Sequence, residues 1–154
     1  MPEHQFIAGL NPDAESFSWE KGCVWTDGSK VVPQAVIDDD LFSYMYDTFR
    51  WVRAQFPNGQ WWNGLDSYGY SLIKDRGDIR RLGEIAKAWK RLLELAPPSV
   101  KLTGNYGWDG ADLQNGRYEE LWFEQREIVL QLDNLVKVTE KALKDGVYVI
   151  HFGI

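Results

Sequence analysis

The chain ends on VYVIHFGI, residues 147 to 154, a β-branched and aromatic run without Asp, Glu, Lys or Arg. Such a run has the composition of a strand, and an apolar strand at a chain end invites aggregation unless a sheet takes it in. Any fold for this sequence therefore needs a sheet into which residues 147–152 insert beside an earlier strand. The residues ahead of it read as a helix from about Tyr118 to Lys144, with Leu121, Trp122, Val129, Leu132, Val136 and Leu143 on one face. Lys137, Lys141 and Lys144 suit the negative end of its dipole, and Asp145-Gly146 supplies the stop.

Two more helices are legible. After Asp38, Asp39 and Asp40, which favour a helix start, Leu41, Tyr44, Met45, Phe49, Val52 and Phe56 recur at threes and fours, predicting a helix over 39–56 that Pro57-Asn58-Gly59 ends. Ile79, Leu82, Ala86, Trp89, Leu93 and Ala96 form the stripe of another over 78–96, stopped by Pro97-Pro98. Asp27-Gly28 between the apolar pairs Val24–Trp25 and Val31–Val32 signals a hairpin. In QWWNGLDSYGYS, residues 60–71, Asn63-Gly64 predicts a second hairpin, with Trp61 or Trp62 on one arm and Tyr68 and Tyr70 on the other. Residues 99–102 read as a strand, followed by a loop rich in Gly and Asn that carries Tyr106 and Trp108.

The expected architecture is α+β: three main helices packed on a small, mostly antiparallel sheet that includes residues 67–73 and 147–152. Its 154 residues suffice for one domain with one core, residues 1–37 being irregular with short strands and 38–154 the helical and sheet core. The single cysteine, Cys23, permits no internal disulfide and reads as a buried thiol. MPEHQFIAGL lacks the basic leader and apolar run of an export signal. No stretch approaches the roughly 18 apolar residues of a membrane span. The expected setting is cytoplasmic, with no membrane partner.

The residues needed for common chemistries are scarce. With two histidines, His4 in an expected loose terminus and His151 in the last strand, neither a zinc site nor a histidine-based nucleophile is easily built. His151 reads as a strand residue with a hydrogen-bonded ring. GNYGWDG lacks the lysine and spacing of a phosphate loop. Asp38, Asp39 and Asp40 read as a capping cluster rather than a cation site. Asp66 and Asp109 both sit in aromatic loops and are the one carboxylate pair a glycoside-processing site would use. No cofactor, metal or catalytic residue is expected.

Charge and aromatic content carry the functional expectation. The net charge is −6: residues 1–73 hold ten acidic and four basic side chains, while residues 74–96 hold seven basic and four acidic. An acidic surface repels a phosphate backbone, and the basic residues of helix 78–96 read as a solvated face, so no nucleic-acid partner is expected. Aromatic residues make up 14% of the chain, eight of them tryptophan. Those in loops are either pinned under the loop or offered to a partner. Offered alongside acids, Trp61, Trp62, Asp66, Tyr68, Tyr70, Tyr106, Trp108 and Asp109 would form a contact patch for a basic protein, since rings supply buried contact and carboxylates steer encounter. That is the profile of a small bacterial inhibitor such as the immunity protein encoded beside a toxin. Two alternatives stay open: a carbohydrate-binding or glycoside-processing domain that stacks sugars on the same rings with Gln60, Asn63, Asn105 and Gln114 nearby, and a structural subunit of a phage or secretion assembly.

Overall fold

The computed structural model describes residues 2–13 and 15–154. In chain order the elements are β1 (Glu3–Gly9), β2 (Phe17–Glu20), β3 (Cys23–Thr26), β4 (Ser29–Lys30), β5 (Gln34–Asp38), α1 (Asp39–Phe49), β6 (Arg53–Gln55), β7 (Trp61–Asn63), β8 (Tyr70–Ile73), α2 (Arg76–Leu93), β9 (Ser99–Gly107), β10 (Arg117–Glu124), α3 (Gln125–Asp145) and β11 (Tyr148–Phe152), with a 3-10 turn at Leu113–Asn115. The main sheet has six strands in the order β5-β1-β11-β8-β6-β7; β2-β3-β4 and β9-β10 form two smaller sheets. Every pairing among the described residues is antiparallel. The fold is α+β as expected, with a sheet component larger than the expected small one.

Alternation along the strands divides the sheet's two faces. Phe6, Ala35, Ile37, Ala54, Ile73 and Val149 belong to the large core with α1, α2 and α3. Ile7, Leu72, Ile150 and Phe152 meet Val24 of β3 on the other face. The β2-β3-β4 meander is shaped by two-residue turns with positive φ at both positions, Lys21-Gly22 and Asp27-Gly28, the conformation that matches hairpin twist. The Gln34 side chain ties it to the main sheet, accepting from Val24 N–H at 2.8 Å and donating to the Val24 carbonyl at 3.0 Å. On the helical side, α2 and α3 pack closely where Gly83 faces Thr139; a Cβ at 83 would lie 2.6 Å from Thr139 Oγ1.

Four expectations require correction. The segment 1–37 is not mainly irregular: β1 and β5 are neighbouring strands of the main sheet, and Met1 and Ala14 lie outside the described residues. The helix expected over 39–56 stops at Phe49, because Val52 and Ala54 are buried around an exposed Arg53, a period of two that satisfies the sheet. The hairpin therefore turns at Pro57-Asn58-Gly59, not at Asn63-Gly64: Trp61 pairs with Gln55 and Trp62 with Ala54, while Tyr70 pairs with Phe152. Finally, the first seven residues of the helix expected over 118–144 are strand. In β10, Leu121 is buried and Trp122 exposed, and α3 begins only at Gln125. Trp122, expected on a core stripe, instead holds its ring 5.4 Å from Lys101 Nζ on the outer face of the β9–β10 hairpin.

The C-terminal run is where the sequence demanded it: β11 lies between β1 and β8. Beside it is a feature the sequence concealed. His4 is not in a loose terminus; it and His151 are both fully buried and their ring nitrogens, Nδ1 and Nε2, are 2.9 Å apart. His4 Nε2 is 2.9 Å from Asp39 Oδ1, and His151 Nδ1 is 3.4 Å from Ser71 Oγ, which accepts from Asp66 N–H at 2.7 Å. The Asp39 carboxylate accepts only, so His4 donates through Nε2–H, and with burial keeping both rings neutral the remaining directions follow from one ring to the next. Ser71 O–H donates to His151 Nδ1, His151 Nε2–H to His4 Nδ1, and His4 Nε2–H to Asp39. Both rings are neutral in this arrangement.

Burial holds the affinity of both rings for a proton down, that of His151 well below its ordinary value of 6.5, and the Asp39 hydrogen bond offsets only part of the effect at His4. A folded-state pKa below the unfolded one means the unfolded chain binds more protons in acid. Stability supplied by the neutral pair is present above about pH 6.5 and is lost as pH falls below it. The expected loss is up to about 1.4 kcal/mol per pH unit for each histidine, measurable by urea denaturation at pH 7.5, 6.5 and 5.5. The double variant His4→Asn/His151→Asn, though less stable throughout, is expected to lose this slope.

Candidate functional site

None of the eight tryptophans is buried. Trp19, Trp51, Trp61, Trp62, Trp108 and Trp122 each leave between 45% and 63% of their surface open. The core is built instead from aliphatic residues and phenylalanine, with Phe6, Phe42 and Phe49 fully enclosed. The aromatic excess is thus a property of the surface.

The eight expected contact residues do not form one patch. Trp61 and Trp62 lie on β7, at one edge of the main sheet, and alternation sends their side chains to opposite faces. The Arg53 guanidinium carbon sits 4.9 Å from the Trp61 ring centre, and Trp62 is 6.2 Å from Phe56. Asp66 is occupied locally: Oδ1 accepts from Tyr68 N–H at 3.0 Å, shaping a turn. Tyr68 at its tip is 83% exposed, whereas Tyr70 packs against the smaller core. Tyr106, Trp108 and Asp109 belong to the β9–β10 hairpin, in a separate sheet. Among the described residues no ring contact joins the two groups, and Asp66 and Asp109 are not brought together as a catalytic pair.

The hairpin carries the fuller cluster. Tyr106 lies 6.2 Å from Trp108 and 5.1 Å, edge-on, from Tyr118, ring centre to ring centre, and its hydroxyl donates to the Leu113 carbonyl at 3.0 Å. Trp108 and Tyr118 border a polar cleft of about 1160 Å³ between the hairpin and the start of α1, which Asp40, Asp109, Glu119, Glu120 and one cation, Arg117, also line. The hairpin's base is anchored by Gln125, whose Nε2 lies within 3.1 Å of the carbonyls of Leu93, Glu94 and Ala96 and so also caps α2.

The three aspartates at the start of α1 divide their work. Asp38 caps the helix, accepting from Asp40 N–H at 2.9 Å, and Asp39 receives His4. Asp40 is left facing the cleft. Partial desolvation, then the charges of Asp38, Asp39 and Glu119, push its carboxyl above the ordinary range. Among the described residues neither Asp40, Asp109 nor Glu119 has an ion-pair partner. Glu120 is paired with Lys101, which holds its carboxyl below the ordinary range. The site is therefore a cleft bordered by Trp108 and Tyr118 whose acids outnumber its one lining cation, Arg117, and in which the charge of Glu119 adds to those that disfavour ionised Asp40. Tyr118 and Glu119 were missed from sequence. Reading RYEELWFE as an alternating strand rather than a helix start would have placed Tyr118 beside Tyr106.

Other chemistry finds less support. The Asp39–His4–His151–Ser71 chain has the members of a nucleophilic relay, but His4, His151 and Ser71 have no exposed surface. Cys23 is half-buried. Among the described residues no group of three His, Cys, Asp or Glu side chains is placed to hold a metal ion, and no helix is long and apolar enough to cross a membrane.

A raised carboxyl pKa means the folded state disfavours that charge, so the group's penalty grows as pH rises through its pKa. Asp40→Asn is expected to leave the melting temperature at pH 7 equal to or slightly above that of the parent, measured by calorimetry. No protein-family model matches this chain, and neither the curated proteins nor the solved structures compared with it contain a match.

Proposed function

We propose that this chain is a noncatalytic inhibitor that binds a basic protein, of the kind encoded beside a bacterial toxin, and that the β9–β10 hairpin with the start of α1 is its contact surface. The observation that carries this reading is the cleft where Trp108 and Tyr118, backed by the Tyr106 ring, stand beside the unpaired carboxylates of Asp40, Asp109 and Glu119. Half-exposed tryptophan and tyrosine are the residues whose burial dominates protein interfaces. Carboxylates that repel each other in the free protein are relieved when an incoming lysine or arginine lies among them. The free inhibitor therefore tolerates a local electrostatic cost that binding removes.

In the reading in which the rings stack on a sugar, Asp66 and Asp109 sit on separate elements, and some of the amides near the rings are engaged within the protein. Asn115 Nδ2 donates to Asp112 Oδ2 at 2.6 Å, and Gln60 exchanges hydrogen bonds with Asn58.

The test takes the product of the gene beside this one, expected under this reading to be a basic enzyme, assayed alone and with increasing amounts of this protein. Stoichiometric inhibition is expected, with an association rate that falls steeply with salt. Trp108→Ala and Tyr118→Ala are each expected to weaken the complex by about 2 kcal/mol or more, roughly thirtyfold in Kd, while changing the melting temperature little. Asp40→Asn is expected to slow association without loss of stability. An enzyme unaffected by a molar excess of this protein overturns the reading.

A further inference from the structure

The two edges of the main sheet differ. At β5 the edge is closed: Val36 N–H donates to Gln131 Oε1 of α3 at 2.9 Å. At β7 no strand follows. Phe56 N–H donates to the Gln60 carbonyl at 2.9 Å and Gly64 N–H to the Val52 carbonyl at 2.8 Å. In the register that pairs Ala54 with Trp62, bonded pairs therefore fall at 56/60, 54/62 and 52/64. Antiparallel alternation then directs the N–H and C=O groups of Trp61 and Asn63 away from β6. All three residues of β7 are exposed. Natural edge strands are commonly blunted by shortness, lysine, proline or a bulge. This one is short, at three residues, but has none of the others and carries indoles on both faces.

We propose that β7 is a homodimer edge, at which two copies of this chain join antiparallel about a two-fold axis at Trp62 and unite their main sheets. The argument for a second copy is the self-complementarity of the register. The outward-facing residues, Trp61 and Asn63, flank Trp62 symmetrically. The two-fold sets Trp61 opposite the second copy's Asn63, and Asn63 opposite its Trp61, so both pairs exchange N–H···O=C bonds without slippage. Trp62 then meets its own copy across the axis, at the distance where cross-strand rings interact. No residue of β7 is charged, and the nearest cation, Arg53, already lies over its own Trp61, so no like charges meet across the junction. The half-open indoles of Trp61 and Trp62 in each copy, each retaining on the order of 100 Å² of surface, supply at most about 400 Å² of the buried total. With backbone added, the interface stays below the roughly 1,200 Å² of standard complexes. The dimer is accordingly weak and reversible, and its face is separate from the hairpin cleft.

Sedimentation of the full chain from micromolar to millimolar concentration is expected to show a monomer–dimer equilibrium. Trp61→Pro removes an outward N–H and no hydrogen bond of the hairpin, and is expected to weaken association about tenfold or more with the native circular dichroism retained. Trp62→Pro removes an inward N–H and is expected to lower the melting temperature instead. Trp62→Lys and Trp62→Glu place like charges across the axis; each is expected to be monomeric alone and to form a mixed dimer when combined. A chain that stays monomeric throughout, a dimer that Trp61→Pro leaves intact, or a Lys/Glu mixture that does not associate overturns the proposal. Loss on Trp61→Pro of binding to an extended peptide, with the parent chain monomeric, assigns the edge to another occupant and overturns it equally.

Discussion

The structure depends on burying β11 in the middle of the main sheet. Residues 148–152 pair with β1 on one side and β8 on the other, so the last strand cannot be satisfied until the first is in place. Pairing of such sequence separation is slow to form, because the loop entropy of nearly the whole chain is lost before contacts reward it. The histidine chain lies at this junction. It runs from Asp39 at the start of α1 through His4 on β1 and His151 on β11 to Ser71 on β8. An apolar pair at positions 4 and 151 would fill the space without tying four elements together. A buried polar chain with every group satisfied specifies one register, since a slip leaves donors and acceptors unpaired in a place where that is costly.

The packing also explains the unusual composition. A core of Leu, Ile, Val and Phe fills the space between the sheet and three helices, leaving the indoles outside. Those of β7 and of the β9–β10 hairpin lie on two surfaces of different electrical character, while Trp19 packs on Phe152 and Trp89 against the main core. At β7 the strand is uncharged and its nearest charge, Arg53, is stacked on a ring. At the β9–β10 hairpin the rings border carboxylates, one of which is pushed above its ordinary range by its neighbours. The self-association proposed above rests on the neutral edge, and the cationic partner proposed above on a cleft whose acids outnumber its one lining cation, Arg117.

Much of this was readable in the residues. The α+β class, the final strand, the Asp27-Gly28 turn, α2 and the stop of α3 at Gly146 each rest on a local rule, whether alternation, helical spacing or the left-handed conformation that glycine adopts. Boundaries failed where two periods fit the same residues. Val52 and Phe56 continue the helical stripe of Leu41 and Phe49, yet Val52, Ala54 and Phe56 also alternate. Trp122 sits four residues after Tyr118, yet Leu121 and Phe123 alternate around it. In both places the available sheet neighbour decided, because a strand gains partners that an extended helix would not.

The candidate site divides the same way. Sequence alone established that this chain is acidic, ring-rich and poor in histidine and cysteine, because those are counts, and it placed Trp61, Trp62 and Tyr106 in or beside turn-rich segments. Which rings stand together was decided only by tertiary structure. Tyr118 reached Tyr106 through strand pairing, Asp40 entered the cleft because the hairpin folds over the start of α1, and His4 met His151 across 147 residues. Local physics reaches about one helical turn or one hairpin along the chain. Contacts between distant segments exist only once the sheet has assembled and the entropy of bringing them together has been overcome.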